Sequence, residues 1–181
     1  MPTAAIGPLV TTVELTANRD APLPVVGPSL GTSVAALCST CVGHLEDRFH
    51  AVDWDLPGHG SNTTAPQAGP TIAQLATAVV EAVSVIVVER GRPNEPFEYA
   101  GDSMGGAVGL QLMLEYPDLI SGSALACTGA RIGTAEGWRE RAETVREGGT
   151  AGVLAGSLER WFAPAAGPPT WPQPKHPRRD P

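Results

Sequence analysis

Ser103 stands between two glycines in Gly101-Asp102-Ser103-Met104-Gly105, a spacing that can make a serine hydroxyl into a nucleophile. The run before it, Phe97 to Ala100, is strand-like, and Ala107 to Tyr116 after it has the apolar repeat of an amphipathic helix. In that context a G-x-S-x-G sequence forms a sharp elbow. The two glycines have no Cβ, so the chain can hold the serine in a strained conformation with its hydroxyl pushed out at the strand's end. The following helix aims its unpaired N–H groups and its positive dipole end at whatever the serine attacks. The chemistry expected is covalent attack on an acyl carbon. A plain strand-to-helix turn is the bland alternative.

Further strands and helices must position that serine, and the chain supplies them in alternation. Val10 to Thr16 reads as an outer strand, and Asn18 to Pro22 as the turn after it. Leu23 to Val26 is a short apolar run that reads as a central parallel strand. It ends in Gly27-Pro28-Ser29-Leu30-Gly31-Thr32, before a helix over about 33–45. A glycine-bearing loop there is either an oxyanion loop of the kind found in α/β-hydrolases or an ordinary strand-to-helix turn. Phe49 to Leu56 reads as another buried strand, leading into Asp53-Trp54-Asp55-Leu56-Pro57-Gly58-His59-Gly60-Ser61. His59, flanked by glycines and preceding the nucleophile, is read as structural rather than as the catalytic base. A polar, Pro/Gly-rich loop follows over 62–70. Thr71 is the expected N-cap of a helix running to Glu89, with Ile72, Leu75, Ala76, Val79, Val80, Val83 and Val87 on its inner face. Leu119 to Thr128 is the next strand expected, and helices are expected over about 134–146 and 150–161. This alternation predicts a doubly wound, mostly parallel α/β sheet.

At 181 residues the chain is long enough for a real core, and a 42% apolar fraction is ordinary for a globular domain. A net charge of −7 argues against a general nucleic-acid surface. No apolar run is expected to reach transmembrane length, and the N-terminus lacks the layout of a signal peptide, so a soluble cytoplasmic protein without membrane contact is expected. Cys38, Cys41 and Cys127 form no disulfide framework. Cys38, Cys41 and His44 span too wide an arc of one helix for a metal site, so the cysteines are read as small buried residues and no metal is expected. The domain is expected over 1–163. Beyond it Pro164, Pro168, Pro169, Pro172, Pro174, Pro177 and Pro181 crowd a tail, 164–181, expected to be disordered or polyproline-like.

Three motifs taken together, Gly27 to Thr32, Asp53 to Gly60 and Gly101 to Gly106, resemble those of α/β-hydrolases in type and order. With Ala130-Arg131-Ile132-Gly133-Thr134-Ala135-Glu136-Gly137-Trp138 they are most similar to the 3-oxoadipate enol-lactonases of aromatic catabolism. The resemblance runs from about residue 12 to about 163. It implies hydrolysis of a carboxylic ester or lactone through an acyl-enzyme on Ser103, with no cofactor. Backbone N–H groups of Leu30 and Met104 would hold the oxyanion. Ser29 in the Ser-Leu-Gly-Thr loop would help bind the small anionic substrate. Arg131 would grip its carboxylate or instead make a surface salt bridge, and Trp138 would wall the pocket or simply pack.

The family's cap, its catalytic Asp and its late His would lie beyond residue 163, where this chain has only the proline tail. After Ser103 the only histidine is His176. Asp118, Glu136, Glu140, Glu143, Glu147 and Glu159 all fall in expected helices or their ends, none after a core strand. The expectations are therefore a sheet ending before its last strands, impaired catalysis, and self-association through an exposed sheet edge. The tail is either a frameshift product or an arm that docks a partner. The other readings are an esterase-like α/β-hydrolase and a non-catalytic binder.

Overall fold

Short apolar runs punctuated by Gly and Pro become the strands, and the longer runs of helical period become the helices. The computed structural model describes residues 9–65 and 69–162. The proline-rich tail and His176 lie outside the described residues. Contacts divide the chain into two compact units, Met1–Ile132 and Gly133–Pro181.

In the first unit the strands are β1 (Thr11–Glu14), β2 (Pro24–Gly27), β3 (Val52–Asp55), β4 (Phe97–Asp102) and β5 (Ile120–Ala126). They form a five-stranded sheet in the order β1-β3-β2-β4-β5. β1 runs antiparallel to β3, and all other pairings are parallel. The helices are α1 (Val34–Gly43), α2 (Ile72–Glu89) and α3 (Met104–Glu115). Ser33 caps α1 by accepting the Ala36 N–H at 3.2 Å. Thr71 caps α2 in a reciprocal box, its hydroxyl accepting the Gln74 N–H while the Gln74 side chain accepts the Thr71 N–H at 2.9 Å.

The core follows from the apolar stripe of α2. Leu75, Ala76, Val79, Val83, Ile86 and Val87, with Val108 and Leu112 of α3, pack on Val25, Val52, Trp54, Phe97 and Tyr99 of the sheet. Each large side chain so buried contributes about 1.5–3 kcal/mol. β4 alternates strictly, with Phe97, Tyr99 and Gly101 buried and Glu98, Ala100 and Asp102 half-buried. β5 forms one edge of the sheet and is largely exposed along its length.

Three expectations need correction. α2 is long and apolar enough to cross a membrane by length and composition, with mean hydropathy 1.8 over 18 residues. Six of its residues are nonetheless buried, against the sheet and α3. The cysteines are not buried, since Cys38 is half-exposed and Cys41 and Cys127 are exposed. The reason for the first two is that α1 buries only Val34 and Val42, and Cys127 follows the open strand β5. The third concerns α3, which starts at Met104 rather than Ala107, with Gly105 and Gly106 inside its first turn.

In the second unit α4 (Ala135–Gly148) is capped by Thr134, ends at Gly149 (φ 67°), and leads through a 3-10 turn, Thr150–Val153, to α5 (Leu154–Trp161). The 3-10 turn takes up the first four residues of what the sequence reads as one helix from 150 to 161.

Candidate active site

The end of β4 delivers Ser103 into a conformation that a residue with a Cβ rarely adopts, φ 49° and ψ −103°. Such strain persists only where the surroundings over-determine it. Here the surroundings are backbone against backbone. The Ser103 N–H donates to Ala126 O at 2.9 Å, tying the turn to the end of β5. The Gly105 N–H donates to Pro28 O at 2.8 Å, which holds the loop after β2 against the start of α3. A Cβ on Gly105 would meet Gly27 C at 2.5 Å, and one on Gly101 would meet Gly105 C at 2.5 Å. The elbow glycines are thus required by close approach.

A buried polar chain fixes the same point from below. Tyr99 OH donates to Gly105 O at 2.8 Å and accepts from Trp54 Nε1 at 3.3 Å. Burial pushes the Tyr99 phenol well above its usual range, so it stays a neutral donor. The sequence gives no sign of this chain, because its three members are distant in sequence and each alone reads as core.

Leu30 and Met104, the residues whose N–H groups were expected to hold an oxyanion, flank this contact. Pro28, two residues before Leu30, takes the Gly105 N–H, and Met104 is the first residue of α3. Neither of the two N–H groups has a protein acceptor among the described residues. Ser29 is buried at 7% exposure, and its carbonyl accepts the Thr32 N–H and Oγ1 at 3.2 and 2.9 Å, closing a tight turn. Arg131 is exposed and makes no ion pair among the described residues. Trp138, in the second unit, is 37% exposed with the Arg141 guanidinium 5.6 Å from its ring centre.

No histidine hydrogen-bonds to Ser103 Oγ among the described residues. His59 has both ring nitrogens engaged, Nε2 with the Gly31 N–H at 3.1 Å and Nδ1 with Pro57 O at 2.9 Å. His50 is fully buried, with Nε2 3.3 Å from Glu14 Oε2. The acids after Ser103 lie where expected, Asp118 in a 3-10 turn, Glu136 to Glu147 on α4 and Glu159 on α5.

Three acidic residues and one cysteine were not singled out as chemistry from sequence. Asp55 Oδ1 accepts the Val34 N–H at 3.1 Å, and its Oδ2 accepts the Ser61 N–H at 2.8 Å. Asp53 is 1% exposed and is pushed up to about 6 by burial and by the Asp55 charge, against the pull of the Val13 N–H. Cys127 has φ 52° and follows Ala126, the β5 partner of Asp102. Its thiol is held above the usual range by a hydrogen bond to Asp102 and by that residue's charge. The Asp-x-Asp pattern at a strand end is the one signal that could have marked the aspartates.

Residues 39–147 match the family model described as serine aminopeptidase, S33. Over 147 residues the chain is 30% identical to 3-oxoadipate enol-lactonase 2 of Acinetobacter baylyi, covering 81% of this chain and 52% of that protein. It is 28% identical over 151 residues to enol-lactonase 1 of the same organism, covering 83% of this chain and 53% of that protein. The chain superimposes on the crystal structure of an enol-lactonase from Burkholderia xenovorans LB400 with TM-score 0.75 at 30% identity, covering 86% of this chain and 57% of that one. It spans about half the length of the curated relatives it matches.

Proposed function

Because this chain belongs to the hydrolase family described as serine aminopeptidase, S33, and has the α/β-hydrolase fold, we propose that it performs serine-dependent acyl transfer on a small anionic lactone. The substrate we assign is 3-oxoadipate enol-lactone, the compound named in the relatives it resembles. The observation that carries the reading is Ser103 at φ 49°, at a turn joined to the Leu30 loop by Gly105 N–H to Pro28 O, with the Leu30 and Met104 N–H groups taken by no acceptor among the described residues.

In this mechanism Ser103 Oγ attacks the lactone carbonyl. The oxyanion that forms is held by the Leu30 and Met104 N–H groups, and collapse expels the ring oxygen as the enol. The Ser103 proton must pass to a base, and the enol oxygen must be protonated. Water then cleaves the acyl-enzyme, restoring the Ser103 hydroxyl, and the enol tautomerises to the ketone of 3-oxoadipate. Exposed Arg131, free of ion pairs among the described residues, supplies a guanidinium for the substrate's free carboxylate.

No described residue stands as the base, so the described residues alone acylate slowly. Loss of one triad member typically costs on the order of 10⁴-fold or more in kcat, while the oxyanion hole and binding alone still leave about 10³–10⁴-fold over water. The test follows enol-lactone hydrolysis by the chain and by Ser103→Ala. Slow turnover above the buffer rate that disappears in the variant is expected. Equal rates for the two proteins refute Ser103 as nucleophile. Turnover of a simple aryl ester without enol-lactone turnover refutes the substrate assignment.

A further inference from the structure

We propose, resting on the acyl-transfer reading above, that neutral His59 protonated on Nδ1 is a positioning residue that sets the oxyanion loop. Its neighbours prepare it for that task. Gly58 and Gly60 both lie at positive φ, 72° and 50°. At Gly60 a Cβ would also fall 1.9 Å from Asp55 Oδ2. The tight turn they permit is closed by His59 N–H to Leu56 O at 3.0 Å and Asn62 N–H to His59 O at 2.8 Å. It throws the imidazole across to the loop after β2, 28 residues earlier in the chain.

The partners of the ring dictate its proton. Gly31 N–H can only donate, so Nε2, 3.1 Å away, must accept. Pro57 O can only accept, so Nδ1, 2.9 Å away, must carry the hydrogen. One tautomer of the neutral ring satisfies both. The imidazolium keeps the Pro57 bond but sets a second N–H against that of Gly31. Gly31 sits at φ 89°, immediately after Leu30, so this contact joins the Ser29–Thr32 turn in holding the twist of the loop beside the oxyanion donor.

Asp55 is the charged group beside this turn. Its oxygens are filled by the N–H groups of Val34 and Ser61 and by Ser61 Oγ at 3.2 Å, which clamps the same two loops together. The loop over 27–32 contributes no titratable side chain. The His59 ring therefore acts on Gly31 directly, and acylation of Ser103 should fall when that acceptor is removed.

Two readouts test this in the intact chain. The first is a long-range imidazole ¹⁵N–¹H spectrum together with hydrogen exchange at the Gly31 amide. An Nδ1–H tautomer is expected, with Gly31 exchange slow in the parent and faster in His59→Phe. An Nε2–H tautomer, or Gly31 exchange unchanged in His59→Phe, overturns the proposal. The second is the rate of Ser103 modification by a fluorophosphonate. His59→Phe should lose about 10- to 100-fold, less than the ~10²–10³ lost when an oxyanion donor is removed outright. His59→Gln, whose Oε1 can accept from Gly31, should keep most of the rate. A His59→Phe protein with the parent's rate overturns the proposal. Failure of Ser103 to react in every variant overturns the function reading instead, and the tautomer and exchange data then decide the loop contact by themselves.

Discussion

Replacing Gly105 with alanine adds a single methyl group at the most crowded point of the elbow. That carbon would lie 2.5 Å from Gly27 C, 2.6 Å from Gly27 O and 2.8 Å from Pro28 O. The optimum separation for such atoms is about 3.5–4.0 Å, so the overlap is on the order of 1 Å. All three atoms are backbone, and no side chain can rotate away. The loop after β2 must therefore move by about that distance, stretching the 2.8 Å bond from Gly105 N–H to Pro28 O. Overpacking of this kind costs about 1–3 kcal/mol, with the upper end expected because backbone must shift. Leu30 moves with the loop, and a displacement of about 1 Å at a reacting centre costs about 10²-fold in rate. Urea denaturation measures the first effect, and the second-order rate of Ser103 modification by a fluorophosphonate measures the second. A Gly105→Ala protein with the parent's midpoint and rate would refute the argument that close approach of these backbones builds the site.

Three other substitutions probe separate parts of the account. Ser103→Gly relieves the φ 49° strain that Ser103→Ala retains, so the glycine variant should be the more stable by about 1 kcal/mol in thermal melts although neither is acylated; an alanine variant that melts at or above the glycine variant contradicts this. Asp53 is raised from its usual 3.8 to about 6, so the folded chain holds its proton more tightly and stability falls as pH rises from about 4 to about 6. The full effect is about 3 kcal/mol, and Asp53→Asn should remove the slope and be the more stable near pH 8; a parent-to-variant difference that does not change with pH contradicts this. On the open edge strand β5, Ala124 is exposed opposite Ala100, and Ala124→Lys should suppress a concentration-dependent self-association seen by sedimentation velocity in the parent. A parent that stays monomeric at every concentration counts against the edge as an association surface.

Most of the sheet and its helices could be read in the sequence because the determinants are local. Gly and Pro end each run, the α2 stripe keeps its 3.6-residue period, and Thr71 is an N-cap by type and place. The elbow was legible for the same reason, since its glycines sit next to the serine they serve. Apart from the apolar length of α2, the failures are long-range. Gly105 and Gly106 look like helix breakers, yet their place in α3 is set by the approach of Gly27 and of Thr128, whose Cγ2 would lie 2.6 Å from a Cβ on Gly106. Trp54, Tyr99 and Gly105 form one hydrogen-bonded chain that no local pattern announces. The cysteines were expected inside because small apolar residues usually are, and their exposure depends on how little of α1 and β5 is covered. His59 read correctly as part of a turn, but its partner Gly31 belongs to a different loop.

Intact-mass spectrometry of the chain after exposure to a fluorophosphonate is the most direct test of Ser103 as the acylated nucleophile. Addition of a single phosphonyl group is expected, mapping to the peptide that contains Gly101–Gly105 and absent from Ser103→Ala. An unchanged mass after prolonged exposure, or an adduct that persists in Ser103→Ala, contradicts it.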